Sequence, residues 1–286
     1  MLRHRLLFGT LMIFVFVGLV LLDGWLDGSL SDVLPKKPTQ ATIFTLLIVL
    51  LVIPAQYEMG NLIKQAGAHQ FKIVTIPATI LVSIAYYWTQ FHLARPVLAL
   101  YTVGLPIFLF VSLFLAQALK FGTEGTIRNI SASFFSIIYL GLFSAFIVAI
   151  RIQFGAVVLL FFVFTIKSSD IGAYAFGRLF GRHKLCPRIS PGKTWEGLAG
   201  AAVVAAAVSF GFSFFCAIMT PLQAAAFGAV FGVLGQLGDL VESMIKRDAA
   251  AKDSSNSIPG FGGLLDVIDS PLATAPAAFV VLMWLL

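Results

Sequence analysis

The chain has 286 residues, 59% of them hydrophobic and only 11% charged, with a mean hydropathy of +0.97. A soluble globular protein carries about 25% charged residues, so a soluble fold has no place for this much apolar surface. A net charge of +6 would by its size admit nucleic-acid binding, but the way that charge is distributed points elsewhere. Cys186 and Cys216 lie far apart, one in a polar stretch and one in an apolar one, which argues against a disulfide framework and against CxxC-type metal spacing.

Apolar runs recur at the roughly 17–25 residues that a membrane helix needs, and the ten-residue alternation of a membrane barrel is absent. A short basic start, Arg3-His4-Arg5, precedes a run to about Leu22 with no small-x-small cleavage site behind it, so an uncleaved first span is expected. A loop over 23–40 holds Asp23, Asp27, Asp32, Lys36 and Lys37. Spans are expected near 41–57, 71–88, 97–119, 130–150 and 152–167, separated by short polar connectors, one of which is the lone Arg151. A polar loop over 168–194 follows, then spans near 196–219 and 222–240, a second polar loop over 241–266, and a last span from about 267. The expected fold is therefore an all-α polytopic membrane protein of about nine transmembrane helices. It divides into N-terminal helices, 1–166, and a C-terminal catalytic region, 167–286.

Placing the N-terminus in the cytoplasm puts fifteen of the nineteen Lys and Arg residues on that side. Only Lys36, Lys37, Arg95 and Arg151 fall outside. Cytoplasmic segments carry such an excess, so the expected orientation is N-in and C-out, with both polar loops and the catalytic site at the cytoplasmic face. Basic charge beside an anionic lipid surface also explains the high pI without nucleic acid.

The organising stretch is Asp239 to Asp269, which holds nine of the 32 charged residues. Asp239, Glu242, Ser243 and Lys246 recur at i, i+3, i+4 and i+7, so a helix gives them one shared polar face. Lys252-Asp253, a turn with Pro259, Gly260, Gly262 and Gly263, and the pair Asp266 and Asp269 complete it. Paired carboxylates suit a hard divalent cation, and the basic residues suit phosphate. The earlier loop adds a basic cluster, Arg178, Arg182, His183, Lys184 and Arg188, and a Ser190-Pro191-Gly192-Lys193-Thr194 turn ahead of Glu196. Gly172, Gly177 and Gly181 admit close backbone approach by a partner helix or a ligand. The residues alone lead to phosphoryl or nucleotidyl transfer on a lipid, with a nucleotide arriving with Mg²⁺.

Ser243, Ile245, Lys246, Arg247, Lys252, Asp253, Ser255, Ile258, Pro259, Gly262, Gly263, Leu264, Asp266, Ile268 and Asp269 form one long gapped pattern. It resembles the signature of the phosphatidate cytidylyltransferases, or CDP-diacylglycerol synthases. Phe261 and Val267 depart from it, standing where the signature has His and Arg. The stretches Asp170–Gly197 and Gly235–Ser243 also look like this family, and the specific resemblance covers about the last 120 residues.

The resemblance implies CTP and phosphatidate as substrates, Mg²⁺ with a second cation, K⁺, a homodimer, and a place in the bacterial plasma (inner) membrane. Carried onto this chain, it makes Asp239 the principal metal ligand, with Asp266 or Asp269 beside it. Lys246, Arg247 and Lys252 would hold the triphosphate, and Arg178, Ser190 and Lys193 would contact phosphate from the other loop. Glu242 and Asp253 would be ligands or orienting partners, and Ser243, Gly262 and Gly263 would border the substrate. The rivals are a nucleotidyltransferase or kinase for another lipid phosphate, and, more remotely, a transporter. A transporter would want mid-span charge or paired helix breaks in related halves, and neither is evident in the sequence.

Overall fold

The computed structural model describes residues 2–30, 35–91, 99–258, 260 and 262–286, with side chains from Phe8 onward. Asp32, Arg95, Pro96, Pro259 and Phe261 lie outside the described residues. The fold is helical as expected: α1 Leu2–Leu26, α2 Thr42–Gln65, α3 Lys72–Ser83, α4 Ala85–Trp88, α5 Leu105–Phe121, α6 Thr126–Ile137, α7 Phe143–Phe180, α8 Trp195–Cys216, α9 Pro221–Asp248 and α10 Leu265–Leu285. A π-helical turn, Leu100–Gly104, leads into α5, and another, Ile138–Leu142, joins α6 to α7. Among the described residues, seven helical runs are long and apolar enough to cross a membrane.

Two departures separate those seven runs from the nine expected spans. The segment expected over 71–88 is interrupted at Ile84, which leaves α3 only 12 residues. At 1.5 Å per residue that is about 18 Å, short of a hydrocarbon core of about 30 Å. The segments expected over 130–150 and 152–167 belong to one run, Thr126–Phe180, broken at Gly155 with φ 88° and ψ 177°. A side chain is disfavoured at that φ, so glycine is what permits the bend there.

The polar stretches are also more ordered than loops. Helix α7 continues through 168–180, and the chain then turns into an antiparallel hairpin, β1 Lys184–Cys186 with β2 Ser190–Thr194. Helix α9 runs on to Asp248, so only 249–264 connects it to α10. Polarity marks where a chain leaves lipid, while a helix needs only its own backbone hydrogen bonds and so continues into water. At 28 residues α9 is about 42 Å long, and its charged end extends past the apolar layer. Its start is fixed by a capping box between Thr220 and Gln223 and by Pro221 at the first helical position. Thr194 caps α8, its hydroxyl accepting the Gly197 N–H at 3.0 Å.

Helices α7, α8 and α9 pack through small residues. A Cβ at Gly172 would meet the Gly200 carbonyl at 2.5 Å, and one at Gly228 would meet the Ala205 carbonyl at 2.4 Å. Gly232 faces Ala201 in the same way. Such contacts substitute for a hydrophobic driving force between helices in lipid. Gly172 and Gly177 both face α8, so their close approach is to a partner helix.

Far from the charged loops, Arg151 is fully buried. Its Nη2 lies 2.8 Å from Asp23 Oδ2 and 2.7 Å from Asp27 Oδ2. Asp23 Oδ1 also accepts the Ile43 and Phe44 N–H groups at the start of α2, and Asp27 accepts those of Ser29 and Ala41. The expected loop charges are thus a buried ion triad that joins α1, α2 and α7. Arg151→Ala would leave two acids facing each other without their cation. We expect a loss of roughly 3–5 kcal/mol, read as a lower melting temperature of the detergent-solubilised protein. Adding Asp23→Asn to that variant should recover part of the loss.

Candidate active site

The polar face expected on α9 turns inward, against α7 and α10. Carboxylate oxygens of Asp239, Glu242 and Asp269 lie within 4.8 Å of one another. The Glu242 and Asp269 side chains are 1% and 5% exposed, whereas Asp239 is 32% exposed and forms the open side of the cluster. Lysines reach it from two other elements. Lys193 on β2 stands 2.7 Å from Asp239 Oδ2 and donates to the Gln236 carbonyl at 2.7 Å. Lys167 on α7 lies 3.4 Å from Asp170 Oδ2 and 3.6 Å from Asp269 Oδ1. Gln236 Nε2 donates to Asp170 Oδ1 at 2.8 Å, which ties α9 to α7 beside the acids.

Asp266, one turn before Asp269 on α10, serves a neighbouring set of contacts. Its Oδ1 takes Lys246 Nζ at 2.5 Å, and the same ammonium donates to Glu242 Oε2 at 2.6 Å. Its Oδ2 accepts the N–H groups of Gly263 at 2.7 Å and Ser254 at 3.0 Å. Asp266 is therefore engaged by Lys246 and by the 249–264 connection, while Glu242 joins Asp239 and Asp269 in the acidic group. The glycines follow from that crowding. Gly262 has φ 97°, and a Cβ there would stand 2.6 Å from Asp266 Oδ2; Gly263 is closed off by Ser254 and Glu58.

The remaining expected residues stay outside this network. Arg178 is exposed and donates to the Tyr174 hydroxyl at 2.9 Å, and Ser190 opens β2. Arg247 donates to the Ile189 and Ala251 carbonyls at 3.2 and 2.9 Å, holding the end of α9 to the hairpin. Lys252 and Asp253 are exposed, and Ser243 is buried on α9. Val267 lies in the first turn of α10. His183 pairs with Glu196, Nδ1 to Oε1 at 2.6 Å, and so braces the hairpin against the start of α8.

Other contributors carried weaker signals. Lys167 and Asp170 form an i, i+3 pair at a membrane edge, and Gln236 sits inside the Gly235–Ser243 stretch. Glu58, buried on α2 and bonded to the 254–265 segment, had no sequence signal beyond being a charge near the end of an apolar run.

Five carboxylates, those of Asp170, Asp239, Glu242, Asp266 and Asp269, share the three ammonium groups of Lys167, Lys193 and Lys246. Glu242 Oε1 is buried without a hydrogen-bond partner. Surplus negative charge and a free buried carboxylate oxygen fit a hard divalent cation held by Asp239, Glu242 and Asp269. Next to this group opens an apolar crevice of about 360 Å³ between the α6–α7 turn, α9 and α10. Gly238 and Val241, which flank Asp239 and Glu242 in sequence, line it together with Tyr139, Ala273 and Ala277.

A sequence model of the cytidylyltransferase family matches residues 3–285. The chain is 32% identical to the phosphatidate cytidylyltransferase of Bacillus subtilis strain 168 over 287 aligned residues, 98% of this chain and 97% of that protein. It is 31% identical to the phosphatidate cytidylyltransferase of Mycobacterium bovis over 248 residues, 84% of this chain and 80% of that protein. The match therefore extends through the N-terminal helices as well as the charged C-terminal region, and the chain belongs to the cytidylyltransferase family.

Proposed function

We propose that this protein transfers the cytidylyl group of CTP to phosphatidate, forming CDP-diacylglycerol and releasing pyrophosphate. The observation that carries the reading is the acidic group of Asp239, Glu242 and Asp269, flanked by lysines and opening beside an apolar crevice. A phosphate-bearing lipid needs both features at once, charge for its head and apolar wall for its tails. Family membership supports the nucleotide, and the names of the relatives support the lipid.

In this reading a phosphatidate phosphate oxygen attacks the α-phosphorus of CTP in line. The bond from that phosphorus to the bridging oxygen breaks, and pyrophosphate leaves with the electron pair. No covalent enzyme intermediate forms. A phosphomonoester with a second pKa near about 6 is already largely ionised at neutral pH, so the attack needs no strong general base. Asp239, Glu242 and Asp269 would hold Mg²⁺, which when bound would supply charge neutralisation between the two anionic substrates. Lys193 and Lys167 bring positive charge to the same place from β2 and α7. Lys246, fixed between Glu242 and Asp266, holds two carboxylates in register and lowers their mutual repulsion. Arg247, Lys252, Arg178 and Ser190 are assigned to the triphosphate on the exposed side. A second cation, K⁺, and a homodimer complete the proposal.

Membranes containing the protein should incorporate labelled CTP into CDP-diacylglycerol when given phosphatidate and Mg²⁺. Asp239→Asn should lower that rate by about two orders of magnitude or more, and chelation of the divalent ion should stop it reversibly. Incorporation only with another lipid phosphate would replace the lipid substrate. Ala273→Phe, which narrows the crevice, should raise KM for phosphatidate while leaving KM for CTP unchanged.

The two native cysteines test the proposed cytoplasmic placement of the site. Cys186 lies on the hairpin that precedes α8, and Cys216 is at the far end of that helix, which is 22 residues or about 33 Å long. An impermeant maleimide should label Cys186 only in inverted vesicles and Cys216 only in right-side-out cells. The reverse pattern would overturn the orientation.

A further inference from the structure

Glu58 lies on α2 and is 5% exposed, yet among the described residues its hydrogen-bond partners all lie within 254–265, the end of the α9–α10 connection and the first residue of α10, some 200 residues later. Its Oε1 accepts from the Ser255 hydroxyl at 2.7 Å, the Ser257 hydroxyl at 3.1 Å and the Leu264 N–H at 3.0 Å. Its Oε2 accepts from the Ser254 hydroxyl and the Leu265 N–H, both at 3.0 Å. Five donors converge on one carboxylate.

Two of those donors are backbone groups at the start of α10. The residue at that helix boundary is Leu264, which has no side chain able to cap. A helix start presents unsatisfied N–H groups and a partial positive charge, and an anion there is stabilising. Glu58 supplies from another helix the cap that α10 lacks. The Ser254 hydroxyl stands 3.0 Å from Glu58 Oε2 and 2.9 Å from Asp266 Oδ2, so one group spans both carboxylates. Asp266 in turn holds Lys246, and Lys246 holds Glu242. Asp269 sits one turn further along the same helix. The placement of two acids of the site and the orientation of a third therefore trace back to a side chain on α2.

We propose that Glu58 is a positioning residue of the active site. It fixes the 254–265 segment and the first turn of α10, and through them the geometry of Asp266, Lys246 and Asp269. The inference builds on the site reading above and extends it to the N-terminal helices, which otherwise read as membrane spans alone.

The test compares Glu58→Gln with the parent in detergent, with rates normalised to folded protein. The amide keeps the size of the side chain but turns a donor group toward N–H donors. We expect kcat to fall about 10–100-fold, the range seen when a supporting partner of a ligand is removed. KM for CTP should change little, the half-saturating Mg²⁺ concentration should rise several-fold, and trypsin should cut after Lys252 several-fold faster. Unchanged cleavage together with unchanged kinetics would overturn the proposal. Faster cleavage with unchanged kcat and Mg²⁺ dependence would reduce Glu58 to a structural tie and overturn its positioning role. A parent without cytidylyl transfer would sink the proposed reaction, while protection of Lys252 would still decide whether Glu58 holds the segment. Should Glu58→Gln fail to fold, the Ser255→Ala/Ser257→Ala pair removes two of its donors with Glu58 in place, and the same expectations apply at smaller size.

Discussion

A charge inside an apolar helix bundle has to be paired, because transfer from water to a low-dielectric interior costs several kcal/mol per ion even after relaxation. This protein meets that constraint in two ways. Arg151 lies between Asp23 and Asp27, and both acids also accept backbone N–H groups, two of them at the start of α2. That arrangement joins three helices. Around α9 and α10 the acids outnumber the lysines, and Glu242 Oε1 is left without a partner. The same physics gives a tie in one place and, in our reading, a cation site in the other.

The second site depends on close packing of α7, α8 and α9. Gly172 against Gly200 and Gly228 against Ala205 bring backbones nearer than any side chain would allow. Lys167 and Asp170 on α7, Lys193 on β2 and Asp239 on α9 are then fixed to elements whose separation is set. The hairpin is braced separately. Thr194 caps α8, Glu196 accepts the Arg182 and His183 N–H groups and pairs with the His183 ring, and Arg247 reaches the Ile189 carbonyl. Lys193 is thereby delivered to Asp239 by a braced hairpin, although it lies in a stretch whose composition reads as loop.

Helix α2 links the two sets of charges. Its first N–H groups are held by Asp23, beside Arg151, and Glu58 near its other end accepts from the start of α10. An apolar helix that looks like a plain membrane span thus sets the distance between a structural ion triad and the acids of the site.

Composition and run length were enough to establish a polytopic helical membrane protein, because only helices and closed barrels satisfy their backbones in lipid. The i, i+3, i+4, i+7 spacing of Asp239, Glu242, Ser243 and Lys246 was enough to give them one face, since helix geometry is local. Asp269 and Lys193 stood out as candidates from charge and motif, and both lie beside Asp239. What the sequence left undecided is which oxygen meets which partner. Asp266 and Asp269 are equivalent by spacing, yet one is taken by Lys246 and two loop N–H groups while the other lies with Asp239 and Glu242. Glu58 and Arg151 were visible as charges but not as partners of anything, because their contacts lie roughly 200 and 124 residues away. Helix periodicity acts over a few residues, whereas pairing of buried charge is decided by which helices pack together. Only the tertiary structure contains that information.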